Sequence, residues 1–262
     1  MNNRTIAYLK ELGRRAIEKL ANLLLPKEKK VKLLEALGPD GLFESIPRAE
    51  NFDLTAQTNF DITKIKAVFN YKTVLCRQAI WEIKYRANRK LITDFSLLLY
   101  EYILEELSDL ETFANFKNII LIPIPSSPNR TREKGFNQCI LIVRELVKID
   151  QERKGNNFTS LENFLLKPHD TPHQARVSNR KSRLANLIDT FLVNDNLAQS
   201  ILSPLNGVPN RSESILCAKL SDFSYIIIDD VITTGATMNE AFRALKSAGI
   251  PSAKIRGYAL AH

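Results

Sequence analysis

Apolar residues change their spacing repeatedly along this chain, and each change marks an element. In residues 4–25 the positions Ile6, Leu9, Ala16, Ile17, Leu20, Leu23 and Leu24 share one face, which predicts an amphipathic helix ending before Pro26. Residues 39–63 carry Pro39, Gly41 and Pro47 without a sustained period and read as an irregular linker. Helical spacing returns over 73–85. It returns again over 94–107, capped by Thr93 or Asp94, with Phe95, Leu98, Leu99, Tyr102 and Ile103 inward. The run 118–124, apolar after Asn118 and closed by Pro125, predicts a buried strand entering a proline-locked turn. A helix follows over 136–147, a strand over 189–193, a central strand over 225–229, its helix over 237–248 and a last strand over 253–261. This alternation predicts an α/β fold, a mainly parallel sheet with helices on both faces. Ligands of such sheets gather at the carboxyl ends of the strands, and Pro125 and Asp230 both stand at such ends, on one rim. The chain divides into a basic helical N-terminal extension and linker, 1–63, and an α/β domain, 64–262. Within the latter, 194–224 with Pro204, Gly207 and Pro209 reads as a surface excursion.

Composition narrows the class. A chain of 262 residues with 44% hydrophobic content can bury a domain-sized core, which argues against disorder. No apolar run reaches membrane-spanning length, and no compact apolar stretch with a cleavage site follows Met1-Asn2-Asn3-Arg4-Thr5. Neither a membrane partner nor a secretory signal is therefore expected. Cys76, Cys139 and Cys217 are odd in number, far apart and without a C-x-x-C pair. They make no disulfide framework or zinc knuckle, so a reducing cytoplasm is the expected compartment and no zinc is expected. His169 and His173 lack a third ligand and read as solvent-facing loop residues.

The net charge of +8 points to anionic partners. Its excess lies in residues 4–32, in Arg130, Arg132 and Lys134, and in Arg176, Arg180, Lys181 and Arg183. The first segment allows a weak, salt-sensitive contact with single-stranded DNA, against the plain alternative of a solvated face.

The densest chemistry lies in Asp229-Asp230-Val231-Ile232-Thr233-Thr234-Gly235-Ala236-Thr237. Two adjacent carboxylates end a strand, and a turn of small residues leads into a helix. Backbone amides in the turn and the positive end of the helix dipole suit an anion. The threonine hydroxyls add donors, and Gly235 lets the backbone approach a phosphate. The carboxylates, being acceptors only, suit a sugar diol or a magnesium ion. No lysine follows the glycine, so this is not a Walker loop, and it is not a G-x-G-x-x-G loop either.

This stretch resembles the phosphoribosyl pyrophosphate (PRPP) motif of type I phosphoribosyltransferases. The resemblance implies that Asp229 and Asp230 are the catalytic pair that holds the ribose hydroxyls, and that Thr233 to Thr237 wrap the 5′-phosphate. A second segment, Ile122-Pro123-Ile124-Pro125-Ser126-Ser127-Pro128-Asn129-Arg130-Thr131-Arg132-Glu133-Lys134-Gly135-Phe136-Asn137-Gln138, is similar to the corresponding part of the ComF family, the competence-associated branch of these proteins. Lys134 stands where that family usually has arginine, which keeps the charge and loses the bidentate fork. A stiff turn followed by basic residues suits a pyrophosphate. Gln174 and Arg183 fit the family's later Gln and Arg, in the interval where type I enzymes carry a mobile loop. Lys84-Tyr85 resembles the family's Lys-Tyr segment, so the likeness runs over roughly residues 68–262. After Pro26, however, Lys27-Glu28-Lys29-Lys30 stands where the family has a four-cysteine zinc module.

The resemblance implies a type I phosphoribosyltransferase fold and transfer of a phosphoribosyl group from PRPP, with magnesium, to an unidentified nitrogenous acceptor. Ser126, Arg130, Arg132, Lys134, Gln174 and Arg183 would serve the pyrophosphate and the closing loop. A homodimer is compatible with this. The alternative is a non-catalytic accessory protein of competence and DNA uptake on the same fold.

Overall fold

The computed structural model of this chain describes residues 26–49, 64–109, 118–155, 157–167, 190–194 and 222–262. In chain order its elements are α1 (Lys27–Ser45), β1 (Ile65–Phe69), α2 (Val74–Arg86), α3 (Arg89–Asp109), β2 (Ile119–Pro123), α4 (Pro128–Lys134), α5 (Gln138–Glu152), β3 (Phe158–Ser160), β4 (Leu165–Leu166), β5 (Leu192–Val193), β6 (Ser224–Val231), α6 (Ala236–Ser247) and β7 (Ile255–Ala261).

Five strands pair in the order β1-β7-β6-β2-β3, and every pairing is parallel. The central strand β6 is an apolar run because helices cover both faces of the sheet. Against one face lie α1, α2, α3 and α5, contributing Leu34, Leu42, Ile80, Ile83, Leu99 and Ile142 to a cluster with Ile226 and Ile228. Against the other lies α6, whose Met238, Ala241, Phe242 and Leu245 meet Ile227 of β6 together with Phe164, Leu165 and Phe191 beside the small antiparallel β4–β5 pair. Burying each central isoleucine stabilises the fold by about 1.5–3 kcal/mol. The α/β class, the parallel sheet and the helices on both faces are thus as the sequence predicts.

Register sets up the rim. Residues Ile119 to Pro123 of β2 pair with Ser224 to Ile228 of β6, so Pro125 and Asp230 each lie two residues beyond the same paired position. The Ile124 amide donates to the Ile228 carbonyl and carries the pairing out to that edge (2.9 Å).

Three local expectations are corrected. Part of the expected linker, 39–45, is helical. Gly38 takes φ 61°, ψ −176° and kinks α1, Pro39 begins a fresh helical run where its missing N–H costs nothing, and buried Leu42 anchors it. The second helix starts at Arg89, not near Thr93, because the Asn88 side chain accepts from the Leu91 amide (3.2 Å). Asp94 instead lies buried in that helix and pairs with Lys90 (2.6 Å). The basic loop expected after Pro125 contains a short helix, α4, with Pro128 in its first turn and Gly135 in the left-handed region at its end. The helix read over 4–25, linker residues 50–63 and most of the excursion, 195–221, lie outside the described residues.

Candidate functional site

Strand β6 runs buried as far as Asp230 and delivers Asp229 and Asp230, 8% and 3% exposed, to the rim. The chain then turns through Ile232 to Gly235. Gly235 adopts φ 72° and starts α6, a conformation that a side chain would strain. Asp229, Val231, Ile232, Thr233, Thr234, Gly235, Ala236 and Thr237 line one small hollow. The first turn of α6 lends that hollow amides without intrahelical partners and the positive end of its dipole. Thr234 Oγ1 accepts from the Ala236 amide (3.4 Å) and steadies the turn.

The acid pair has specific company. Asp230 Oδ2 receives the Lys84 ammonium at 2.9 Å and the Gln138 amide nitrogen at 3.3 Å, while its Oδ1 accepts from the Val231 amide (3.0 Å). Asp229 Oδ1 accepts from the Asp230 amide (2.8 Å) and from the Cys139 thiol (3.6 Å). Gln138 and Cys139 reach the pair because Asn137 ties the start of α5 to the end of β2. Its side chain accepts from the Cys139 amide (2.9 Å) and donates to the Ile124 carbonyl (3.0 Å).

Burial governs the protonation of this cluster. Burial first, then the Asp230 carboxylate beside it, push Asp229 up to about 7, against the pull of Lys84. Burial would lower the Lys84 ammonium, but the Asp230 carboxylate outweighs it and holds Lys84 above the ordinary lysine range. Burial, then Asp229, raise the Cys139 thiol well above its usual value, so it keeps its proton. Ligating atoms of Cys139, Asp229 and Asp230 lie within 4.8 Å of one another. Lys84 already neutralises Asp230, so the cluster by itself makes no case for a resident metal.

The basic helix α4 splits the residues that the sequence groups together. Lys134 lies over the Tyr85 ring, 4.5 Å from its centroid, and close enough to Lys84 and Asp230 to feel both charges. Burial, then the Lys84 ammonium, hold Lys134 below the ordinary lysine range. Arg132, two residues earlier and therefore about 200° round the helix, lines a separate open cleft together with Ser126. Arg130 contributes to the field at Lys134. Gln174 and Arg183 lie outside the described residues.

Lys84, Gln138 and Cys139 are site residues that the sequence reading does not assign a role. Signals for the first two were present in the Lys84-Tyr85 dipeptide and in the Asn137-Gln138 close of the second motif. Left-handed Ala87 ends α2 two residues after Tyr85, which leaves Lys84 and Tyr85 in its last turn. Compared with models of known protein families and with curated proteins, the chain matches none.

Proposed function

We propose that this protein binds PRPP at the end of β6 and transfers its phosphoribosyl group to a nitrogenous acceptor, as type I phosphoribosyltransferases do, on a sheet of their kind. The observation that carries this reading is the continuity of Asp229-Asp230, the turn 231–235 and the first turn of α6 at one rim of a parallel sheet. Asp229 and Asp230 would hold the ribose hydroxyls, and the Thr233–Thr237 amides and hydroxyls the 5′-phosphate. Lys84 and Lys134 would face the pyrophosphate side, where negative charge grows as the C1–O bond breaks. The two carboxylates suit magnesium and the Cys139 thiol does not, so Asp229 and Asp230 would hold it beside the ligand. When bound, magnesium supplies charge neutralisation of the leaving group.

One observation favours the non-catalytic alternative. Lys84 and Gln138 occupy Asp230 Oδ2, so a ribose must compete for that oxygen. Pyrophosphate release, measured with PRPP, magnesium and a panel of nitrogenous bases, separates the two. Release dependent on one base, and lost in Asp230→Asn, supports transfer. PRPP binding without release for any base supports the accessory role.

A further inference from the structure

Gln138 holds a buried, unpartnered oxygen beside the acid pair. The residue opens α5 and is 7% exposed. Its Nε2 donates to Asp230 Oδ2 at 3.3 Å, whereas its Oε1 receives no hydrogen bond among the described residues. The amide has no reason to turn the other way round. Asp230 Oδ2 also receives the Lys84 ammonium (2.9 Å), so it acts as an acceptor, and only the nitrogen of Gln138 can face it. Nor is the side chain free to wander. The cap before it, Asn137, is tied to the Cys139 amide and to the Ile124 carbonyl. A buried acceptor without a donor is costly and uncommon in folded proteins, and it marks a place that a water, an ion or a functional contact completes.

Whatever completes this one must bring a proton. The neighbouring carboxylates of Asp229 and Asp230 are acceptors as well, so an anion is repelled and a polyol is matched, each hydroxyl having one proton to share. An amide also offers what a carboxylate lacks, an N–H for the lone pair of a hydroxyl. Oε1 shares a carbon with the nitrogen that touches Oδ2, so the two oxygens lie close enough for neighbouring hydroxyls of one sugar ring. The Lys84 side chain is 30% exposed, and its ammonium is therefore the partner of Oδ2 that solvent can take back when a sugar arrives.

We infer that Gln138 reads a ring hydroxyl of the bound sugar through Oε1 and makes the site select ribose phosphates over their deoxy counterparts, an inference that rests on the PRPP reading above. Gln138 is thus a specificity-determining residue and takes no part in bond breaking.

The test titrates the full chain calorimetrically with ribose 5-phosphate, 2-deoxyribose 5-phosphate and 3-deoxyribose 5-phosphate, once with EDTA and once with magnesium. It is run at pH 8, where Asp229, held at about 7, has given up most of its own proton and is no longer a donor. The parent should bind ribose 5-phosphate about tenfold or more tightly than at least one of the deoxy sugars. Gln138→Met keeps an unbranched side chain and removes the amide, and circular dichroism should show it folded. It should weaken ribose 5-phosphate about three- to tenfold and leave that deoxy sugar within about twofold, with and without magnesium. A parent that binds all three sugars alike overturns the proposal, and so does a variant that weakens all three equally, as a merely structural role would, or weakens none. A loss seen only with magnesium also overturns it, because the donor is then a metal-bound water. A parent that takes up PRPP and none of the three sugars overturns the proposal alone. One that takes up neither the sugars nor PRPP overturns the PRPP reading with it.

Discussion

Replacing Lys84 with methionine tests how the buried acid pair is held. The substitution keeps an unbranched stem and removes the ammonium at 2.9 Å from Asp230 Oδ2. Asp230 is 3% exposed and would keep only its neutral donors, Gln138 at 3.3 Å and the Val231 amide at 3.0 Å. Removing one partner of a buried ion pair typically costs about 3–5 kcal/mol. The Lys84 side chain is itself 30% exposed, so solvent screens part of the interaction, and the expected loss is about 2–3 kcal/mol. The loss should depend on pH. Asp229 already has its folded value raised from 3.8 to about 7, so its contribution favours the fold at low pH and becomes a penalty as pH rises through that window. Without Lys84 the nearest cation is lost, Lys134 and the backbone amides offset the two like charges only in part, and that penalty grows. Urea unfolding at pH 8 should therefore show most of the loss, and unfolding at pH 5, where Asp229 carries its proton, clearly less. Lys84→Arg, which restores a cation, should recover much of it. A Lys84→Met protein as stable as the parent at pH 8, or one losing the same amount at both pH values, would refute this account of the pair.

The remaining predictions concern the same rim. Asp229→Asn should stabilise the protein at pH 8, because holding a carboxyl at about 7 rather than 3.8 costs on the order of 4 kcal/mol once it is ionised. Urea unfolding should show a gain of about 2–4 kcal/mol that fades toward pH 5, while PRPP binding falls. Gly235→Val places a β-branched side chain at φ 72°, which costs about 1–2 kcal/mol or more. It should abolish PRPP binding in calorimetry while circular dichroism shows the fold retained. Elemental analysis of the purified protein should find no stoichiometric zinc, since no four-ligand cysteine or histidine cluster is readable in the chain; one zinc per chain would contradict this.

What was legible in the sequence was whatever one continuous stretch carries. Tyr225 to Asp230 could only be a covered strand, being apolar at every position until the acids, and the small-residue turn after it required the left-handed glycine found at 235. The strand 119–123 and its proline stop were legible for the same reason. The second half of α1 and the start of α3 were not, because the run after a glycine kink and a capping asparagine depend on which leucines find a partner on the sheet. Nor could spacing show that Lys84, some 145 positions before Asp229 in the chain, closes on the acid pair, since packing of α2 against the sheet brings it there. The division of α4 was missed because Arg132 and Lys134 look like one basic run when no helix is drawn through them.

The central claim is that the end of β6 is a PRPP site, and calorimetric titration of the protein with PRPP and magnesium tests it most directly. The account predicts one saturable site per chain. In Asp230→Asn, losing a charge-assisted acceptor worth about 1.5–3 kcal/mol should weaken it by about ten- to a hundredfold, with the fold intact. A parent protein that takes up no PRPP, or an Asp230→Asn variant that binds it as tightly as the parent, would contradict the claim.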